Sequence, residues 1–217
     1  MNAAKTLVCR YAHSAKYKDI AHLNTQIKSG KLLVVPTDTV YGIAADPFSS
    51  SAVDKLLTAK GRGRDFPSPV LVSGISQVES LVPEIPPLAK KFMNSFWPGA
   101  LTIVLLARED LSLDLGITGG TVAIRQPNQK DLLELMEVTG PLAVTSANLH
   151  GCAPAQSATQ ARGYFGDKVA EYVDAGKSPI GKPSTIVKVI GGDYWLLRIG
   201  AIGVGELKAV AGKVAND

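Results

Sequence analysis

The sequence predicts a single α/β domain built on a mixed sheet. Three observations carry that expectation. Apolar, β-branched runs such as Lys31 to Val35 and Leu101 to Leu106 are short and continuous, as strands covered on both faces are. Stretches of helical period alternate with them. No internal repeat, low-complexity run or linker divides the 217 residues. A chain of this length can bury one large core, or at most two small ones.

Taken in order, Thr6 to Val8 is a short candidate strand. Tyr17 to Ser29 is a helix with Ile20, Leu23 and Ile27 on one side and Gly30 as its stop. Lys31 to Val35 is a buried strand bounded by Gly30 and Pro36. Thr37 and Thr39 follow in a turn at its C-terminal end, where open α/β sheets usually bind ligands. A helix starts near Ser50 or Ser51 and stops at Gly61. Within it Val53, Leu56, Leu57 and Lys60 fall at i, i+3, i+4 and i+7, so Lys60 prolongs an apolar stripe. A second buried strand runs up to Ser73. Pro86 and Pro87 start a helix carrying Leu88, Phe92 and Phe96, ended by Pro98-Gly99. Leu101 to Leu106 is a strand, and a polar loop from Glu109 to Gly120 leads to the strand Thr121 to Arg125. Lys130 to Val138 is a helix with Leu132, Leu133 and Met136 inward. Leu142 to Thr145 is a strand running into Ser146-Ala147-Asn148. Ser157 to Phe165 is a short helix and Val169 to Val173 a strand. Ser184 to Ile190 and Tyr194 to Arg198 form a hairpin across Gly191-Gly192-Asp193, and Val204 to Val214 is the last helix.

Composition excludes several classes. The chain is 46% apolar and 19% charged, as globular proteins are. No stretch reaches about 18 apolar residues, so nothing is expected to span a membrane. The N-terminal MNAAKTLVCR lacks a signal-peptide core. Cys9 and Cys152 offer neither a metal spacing nor a disulfide framework; they suit a reducing cytoplasm, each as a small buried hydrophobe. A net charge of +4 and a pI near 9.0 fit an anionic ligand but fall short of a basic tail built for nucleic acid.

No HExxH, Cys/His cluster, GxSxG or GxxxxGKS is present, and Gly61-Arg62-Gly63 is not a dinucleotide fingerprint. His13, His22 and His150 have no motif around them and read as surface or capping residues. Cations and hydroxyls at strand ends remain: Thr37 and Thr39, Lys60 with Arg62 and Arg64, Thr121 with Arg125, Ser146 with Asn148, Ser184 with Thr185, and Arg198. Such a set suits positioning and charge neutralisation, which is most of what phosphoryl and nucleotidyl transfer ask of a protein. A lone Lys60 would read as a cation at a helix C-terminus that snorkels to water. Three cations within five residues, facing a hydroxyl-bearing sheet edge, favour a polyanion site instead. Arg125 closes the apolar strand VAIR, where it either pairs with a carboxylate of the protein or clamps that of a small acid. Ser146-Ala147-Asn148 taken alone caps a turn or helix.

The blocks PTDTVYGIAAD, AKGR, FWPGALTIVL, VAIRQP, AVTSAN, PSTIV and LLRIGAI, in this order, resemble the YrdC/YciO family over roughly Lys31 to Ile202. The likeness is closest to its threonylcarbamoyl-AMP synthases of the short, single-domain TsaC/YrdC type. It implies a twisted, mixed open sheet flanked by helices around a large basic cavity. It further implies a nucleotidyltransferase that turns L-threonine, bicarbonate and ATP into threonylcarbamoyl-adenylate and pyrophosphate, with Mg²⁺ carried by the nucleotide. The product serves threonylcarbamoyladenosine formation at tRNA position 37. A threonylcarbamoyl transferase complex would accept the adenylate, tRNA is a further candidate partner, and the setting is cytoplasmic.

Position by position, the resemblance gives Lys60, Arg62, Ser146 and Asn148 the catalytic role. It places threonine on Thr39, Ser73, Arg125, Ser146 and Ser184. ATP falls to Lys60, Arg62, Ser68, Thr121, Asn148, Gln156 and Arg198, and no residue ligates a metal. The chain also departs from the family pattern. GRDFPSPV replaces a shorter proline-led turn, leaving Arg64 as an extra cation. Ser73 stands where many members have histidine, so a contact there needs the shorter side chain or a water to reach. Asn128 and Gln129 also replace a usual histidine, His150 replaces a common serine, and Gln156 sits where a hydroxyl residue often meets ATP. Little chain follows Ile202, so one domain over 1–217 without an extra C-terminal domain is expected. Asp174 to Ser184 is the candidate loop to close the cavity, or else a mere connection. Two other readings compete. A YciO-like RNA-binding protein without synthase activity is opposed by the 6% aromatic content, too little to interleave on bases. Carbamoyl transfer, as in hydrogenase-maturation proteins, comes with zinc-binding cysteines that this chain lacks.

Overall fold

The computed structural model describes residues 16–213 and 215. The candidate strand Thr6 to Val8, together with Cys9, His13 and Val214, lies outside them. Among the described residues nine strands form one sheet in the order β7-β1-β2-β6-β3-β5-β4-β8-β9. In chain order the elements are α1 (Lys16–Lys28), β1 (Leu33–Val35), β2 (Gly42–Ala45), α2 (Ser50–Lys60), β3 (Val70–Leu71), α3 (Ile75–Leu81), α4 (Pro87–Phe96) and β4 (Leu101–Leu106). They continue with β5 (Thr121–Arg125), α5 (Lys130–Thr139), β6 (Leu142–Ser146), α6 (Ala158–Phe165), β7 (Glu171–Tyr172), β8 (Thr185–Ile190), β9 (Asp193–Arg198) and α7 (Val204–Ala211). The sheet is mixed: β1/β7, β3/β5 and β4/β8 are parallel, and the other neighbours are antiparallel.

Strand alternation sorts the side chains onto two unlike faces. Val34, Ile43, Val70, Ile103, Ile124, Ala143 and Val187 point to one face, where α2, α3, α4, α6 and α7 bury them in the larger core. Their neighbours Leu33, Val35, Ala44, Leu71 and Val144 point to the other, beneath Leu23 and Ile27 of α1 and Leu132, Leu135 and Met136 of α5. This smaller core takes nothing from β4, β5, β8 or β9. There the register puts Thr102, Thr121, Arg125 and Lys188 on the same face as Leu71 and Val144. One half of that face is therefore dry and helix-covered, and the other half is the more polar one, where Val104, Ala123 and Ile186 share the face with those four residues.

Two elements were not anticipated. β2, with the sequence GIAA, has no alternation and is built from residues that strands usually avoid. Its position is set by pairing, because a Cβ at Gly42 would overlap Val144 on β6. α3, ISQVESL, is under two turns long and is anchored by the buried Val78 and Leu81 and by Gln77, which donates to Met136 O at 2.8 Å. The helix signals that were legible hold. Ser49 accepts from Ala52 N at 3.4 Å, and Gly61 adopts the left-handed conformation (φ 63°) and donates to Thr58 O. Cys152 is a correction: it is exposed rather than buried, because its backbone N–H and C=O are spent on Leu149 O and the Asn148 amide within the turn, which leaves the thiol outside.

Gly200 has no positive φ, yet a Cβ there would overlap the carbonyl oxygens of Pro183 and Ser184. Its own N–H donates to Thr185 Oγ1 at 2.9 Å. Gly200→Ala should therefore destabilise the protein by about 1–3 kcal/mol in urea melts. Gly205→Ala in α7, where nothing stands within 4 Å, should leave stability unchanged or raise it by up to about 1 kcal/mol.

Candidate active site

Seven of the residues singled out above wall one hollow: Thr37, Thr39, Arg62, Arg125, Ser146, Ser184 and Arg198. Gly42, Thr102 and Thr145 also line it, with an apolar share from residues such as Pro69, Leu71 and Val144. The hollow lies against the polar half of the sheet face, next to the edge of the smaller core, and not only beyond the strand ends. Its volume is about 90 Å³, narrow where a large cavity was expected. One cause is visible at the rim. Ser178 Oγ donates to Thr37 O (3.1 Å), Ile180 N to Asp38 O (3.0 Å) and Gly181 N to Thr39 O (2.8 Å). Tyr41 Oη donates to Gly176 O at 2.7 Å, so the 174–184 loop is strapped onto the Thr37–Tyr41 turn. A larger open groove of about 1020 Å³ lies between α1, α2 and β7, but it holds none of these residues and its walls mix Lys31, Lys55 and Lys168 with Asp54, Asp167 and Glu171.

Lys60 does not snorkel. It is 2% exposed, and its ammonium donates to the carbonyls of Ser146 and, at 2.7 Å, Asn148. His150 N donates back to Lys60 O (2.9 Å), so the end of α2 and the turn after β6 are locked together. Asn148 tightens that turn further, giving its amide hydrogens to Leu149 O and Cys152 O while its Oδ1 is buried without a partner. Both residues thus stand directly behind Ser146 rather than on the wall itself. Arg62 does reach the wall: Nη1 donates to Thr145 Oγ1 (3.3 Å), the guanidinium lies 4.9 Å from the Phe66 ring centroid, and Nε is buried unpaired.

Arg125 is held at three points. Nε donates to Gly99 O (2.8 Å), Nη1 to Thr39 Oγ1 (2.8 Å) and Nη2 to the Asp38 carboxylate. Of its two sequence readings, pairing with a protein carboxylate is the one this structure displays, and two of its five N–H groups remain for a ligand. Across the hollow, Thr102 and Ser184 share a hydroxyl hydrogen bond at 2.8 Å, and Arg198 donates to Ser184 O and Oγ.

Four expected contacts stand elsewhere. Ser68 is buried behind the wall with an unpaired Oγ. Ser73, past the end of β3, has its backbone tied to Gln77 and Gln126. Thr121 is four residues along β5 from Arg125, roughly 13 Å away, and donates to Thr118 O. Gln156 reaches Gly181 O at 3.4 Å and so braces the loop. Arg64, the extra cation, bridges Asp54 on α2 and Asp114 in the 109–120 loop. Asp38, Thr102 and Thr145 were missed. A polar residue inside LTIVLL was the available signal for Thr102, and the acid in PTDT for Asp38.

The family model Sua5_yciO_yrdC, described as telomere recombination, matches residues 25–200. The chain belongs to this family. A Mycobacterium tuberculosis member, provisionally named a threonylcarbamoyl-AMP synthase, is 47% identical over 186 residues and is matched over 86% of both chains. The Bacillus subtilis threonylcarbamoyl-AMP synthase is 37% identical over 91% of this chain. Pyrococcus abyssi Sua5 complexed with L-threonine superposes with a TM-score of 0.85 at 34% identity over 91% of this chain. This chain spans 58% of the length of each of those last two proteins. Escherichia coli YciO, at 19% identity and a TM-score of 0.78, shares the fold. Among the described residues no helix is long and apolar enough to cross a membrane.

In this Sua5/YciO/YrdC chain burial sets the electrostatics of the site. It pushes Arg62, Arg125 and Arg198 below the ordinary arginine value, with Asp38 opposing the shift at Arg125. Burial, with Arg62 adding to it, lowers Lys60 from 10.5 to about 8. Between those two values the unfolded chain holds a proton that the folded chain has released. Folding is therefore favoured as pH rises from about 8 to 10.5. Lys60→Met should remove that rise from a curve of melting temperature against pH. Arg64→Ala should leave the melting curve close to wild type, since both its partners are at the surface, and should weaken nucleotide binding a few-fold, since the turn that carries Arg62 loses a tie.

Proposed function

We propose that this chain is an L-threonylcarbamoyladenylate synthase, acting on L-threonine, bicarbonate and ATP. The observation that supports it most is the convergence of Arg62, Arg125 and Arg198 with the hydroxyls of Thr39, Ser146 and Ser184 on one hollow. Arg62 on that wall has its Nε buried without a partner, and so has the Asp38 Oδ2 beside Arg125. Buried polar atoms are nearly always matched, so two left open here suit a polar ligand.

In this reading Arg125 offers its two remaining N–H groups to the threonine carboxylate, and Thr39, Ser146 and Ser184 meet the other polar atoms. The threonine ammonium gives up a proton to solvent, and the neutral amine then attacks bicarbonate with loss of water, or CO₂ already formed from bicarbonate by that loss, to give the carbamate. A carbamate oxygen then attacks the α-phosphorus of ATP and pyrophosphate leaves. Arg62 and Arg198 spread the charge of the triphosphate. Lys60 and Asn148 hold the Ser146 turn and add positive potential and an acceptor behind it. No protein nucleophile is needed. Mg²⁺ arrives on the phosphate oxygens; among the described residues no trio of His, Cys, Asp or Glu gathers to hold it. Ser68, Ser73, Thr121 and Gln156 take no direct part in this assignment. The adenylate passes to a threonylcarbamoyl transferase complex that modifies tRNA.

Incubating the protein with ATP, Mg²⁺, bicarbonate and single amino acids, and following pyrophosphate, tests the proposal. Release should require threonine and bicarbonate together, and Lys60→Ala or Arg62→Ala should largely abolish it. Serine lacks one methyl, worth about 1–3 kcal/mol in a fitted pocket, and should turn over roughly tenfold or more slowly. Release that is indifferent to threonine would sink the reading.

A further inference from the structure

The walls of the hollow carry three cations, Arg62, Arg125 and Arg198, and no Asp or Glu. A pocket of that composition favours simple anions and repels an ammonium group. An α-amino acid brings both charges, about one residue's width apart. The carboxylate in contact with this wall is Asp38. It is 4% exposed, its Oδ1 accepts from Arg125 Nη2, and its Oδ2 is buried with no partner. An Arg–carboxylate pair usually closes as a two-pronged fork that uses both oxygens. Here the second prong is unused, because Arg125 spends Nη1 on Thr39 and Nε on Gly99 O.

The backbone fixes Asp38 in that place. Its carbonyl accepts from Ile180 N, and the flanking Thr37 and Thr39 carbonyls are held by Ser178 and Gly181. The negative charge therefore stays beside Arg125 when a ligand carboxylate arrives at the two remaining guanidinium hydrogens. Asp38 does not itself line the hollow, so it acts from behind Arg125 and Thr39, as a carboxylate in contact with a wall of three cations.

Resting on the threonine-binding reading above, we propose that Asp38 is a specificity-determining residue, which makes this hollow accept an amino acid over the same acid without its amine. It acts as the positioning partner of Arg125 and as the counter-charge for the ammonium. Calorimetric titrations of the nucleotide-free protein with L-threonine and with 3-hydroxybutyrate, which is threonine without its amine, test this. The wild type should bind threonine at least a hundredfold more tightly than 3-hydroxybutyrate. In Asp38→Asn the ratio should shrink to tenfold or less, mainly through weaker threonine binding, and Asp38→Glu should restore part of it. A merely structural role would weaken both ligands alike and leave the ratio intact, and that result in folded Asp38→Asn overturns the inference. So does a wild type that binds the two ligands equally, whether or not the variant folds. If the wild type releases pyrophosphate with threonine yet shows no such preference, the inference alone fails. If it binds neither ligand, the inference falls together with the proposed function.

Discussion

A guanidinium and an ammonium taken out of water must be met by oxygen atoms, or the fold that buries them does not persist. Arg125 and Lys60 impose that constraint on this molecule. Arg125 is satisfied only if the Thr37–Thr39 turn and the Gly99 carbonyl come to it from separate segments. Lys60 is satisfied only if the chain leaving β6 turns two carbonyls back onto the end of α2. The cations thus gather the loops that make the site, and the same contacts stiffen it before any ligand arrives.

The sheet explains why these loops meet where they do. Five helices cover one face, while α1 and α5 cover only part of the other. Strands β4, β5, β8 and β9 still need their inner face to be apolar, which Leu101, Ile103, Val122, Ile124 and Val187 provide. Their opposite positions are released from that demand and can carry Thr102 and Arg125. A site on a strand face is held by a backbone hydrogen-bonded on both sides, which suits residues that must position a substrate rather than react with it.

Much of this was legible in the sequence. β4 and β5 begin and end where their apolar runs do, and α2 has the stripe and the stop that its period and Gly61 require. Thr39, Arg62, Arg125, Ser146, Ser184 and Arg198, separated by up to about 160 positions, do share one hollow. What was not legible depends on pairing and on rotamers. GIAA becomes β2 only because β1 and β6 accept it on both sides. Thr121 and Arg125 share a strand face, yet the length of β5 separates them, and composition carries no such distance. The direction of Lys60 was equally hidden: its place on the apolar stripe was visible, but not that two carbonyls would receive its ammonium.

The segment after α2 shows how a surface turn can be made to hold a cation at the site. A loose turn over Gly63 to Phe66 would set Arg62 adrift. Instead Arg64 ties it to α2 through Asp54 and to the 109–120 loop through Asp114, and Ile117 N donates to Arg64 O at 2.7 Å. Phe66 then lies against Arg62 on one side and 5.2 Å from the His150 ring on the other. A serine in place of His150 could not meet that ring. Phe66, His150 and Arg64 therefore act as one unit whose effect is to fix a guanidinium at the rim of the hollow. Replacing any one alone would remove a support that the other two use.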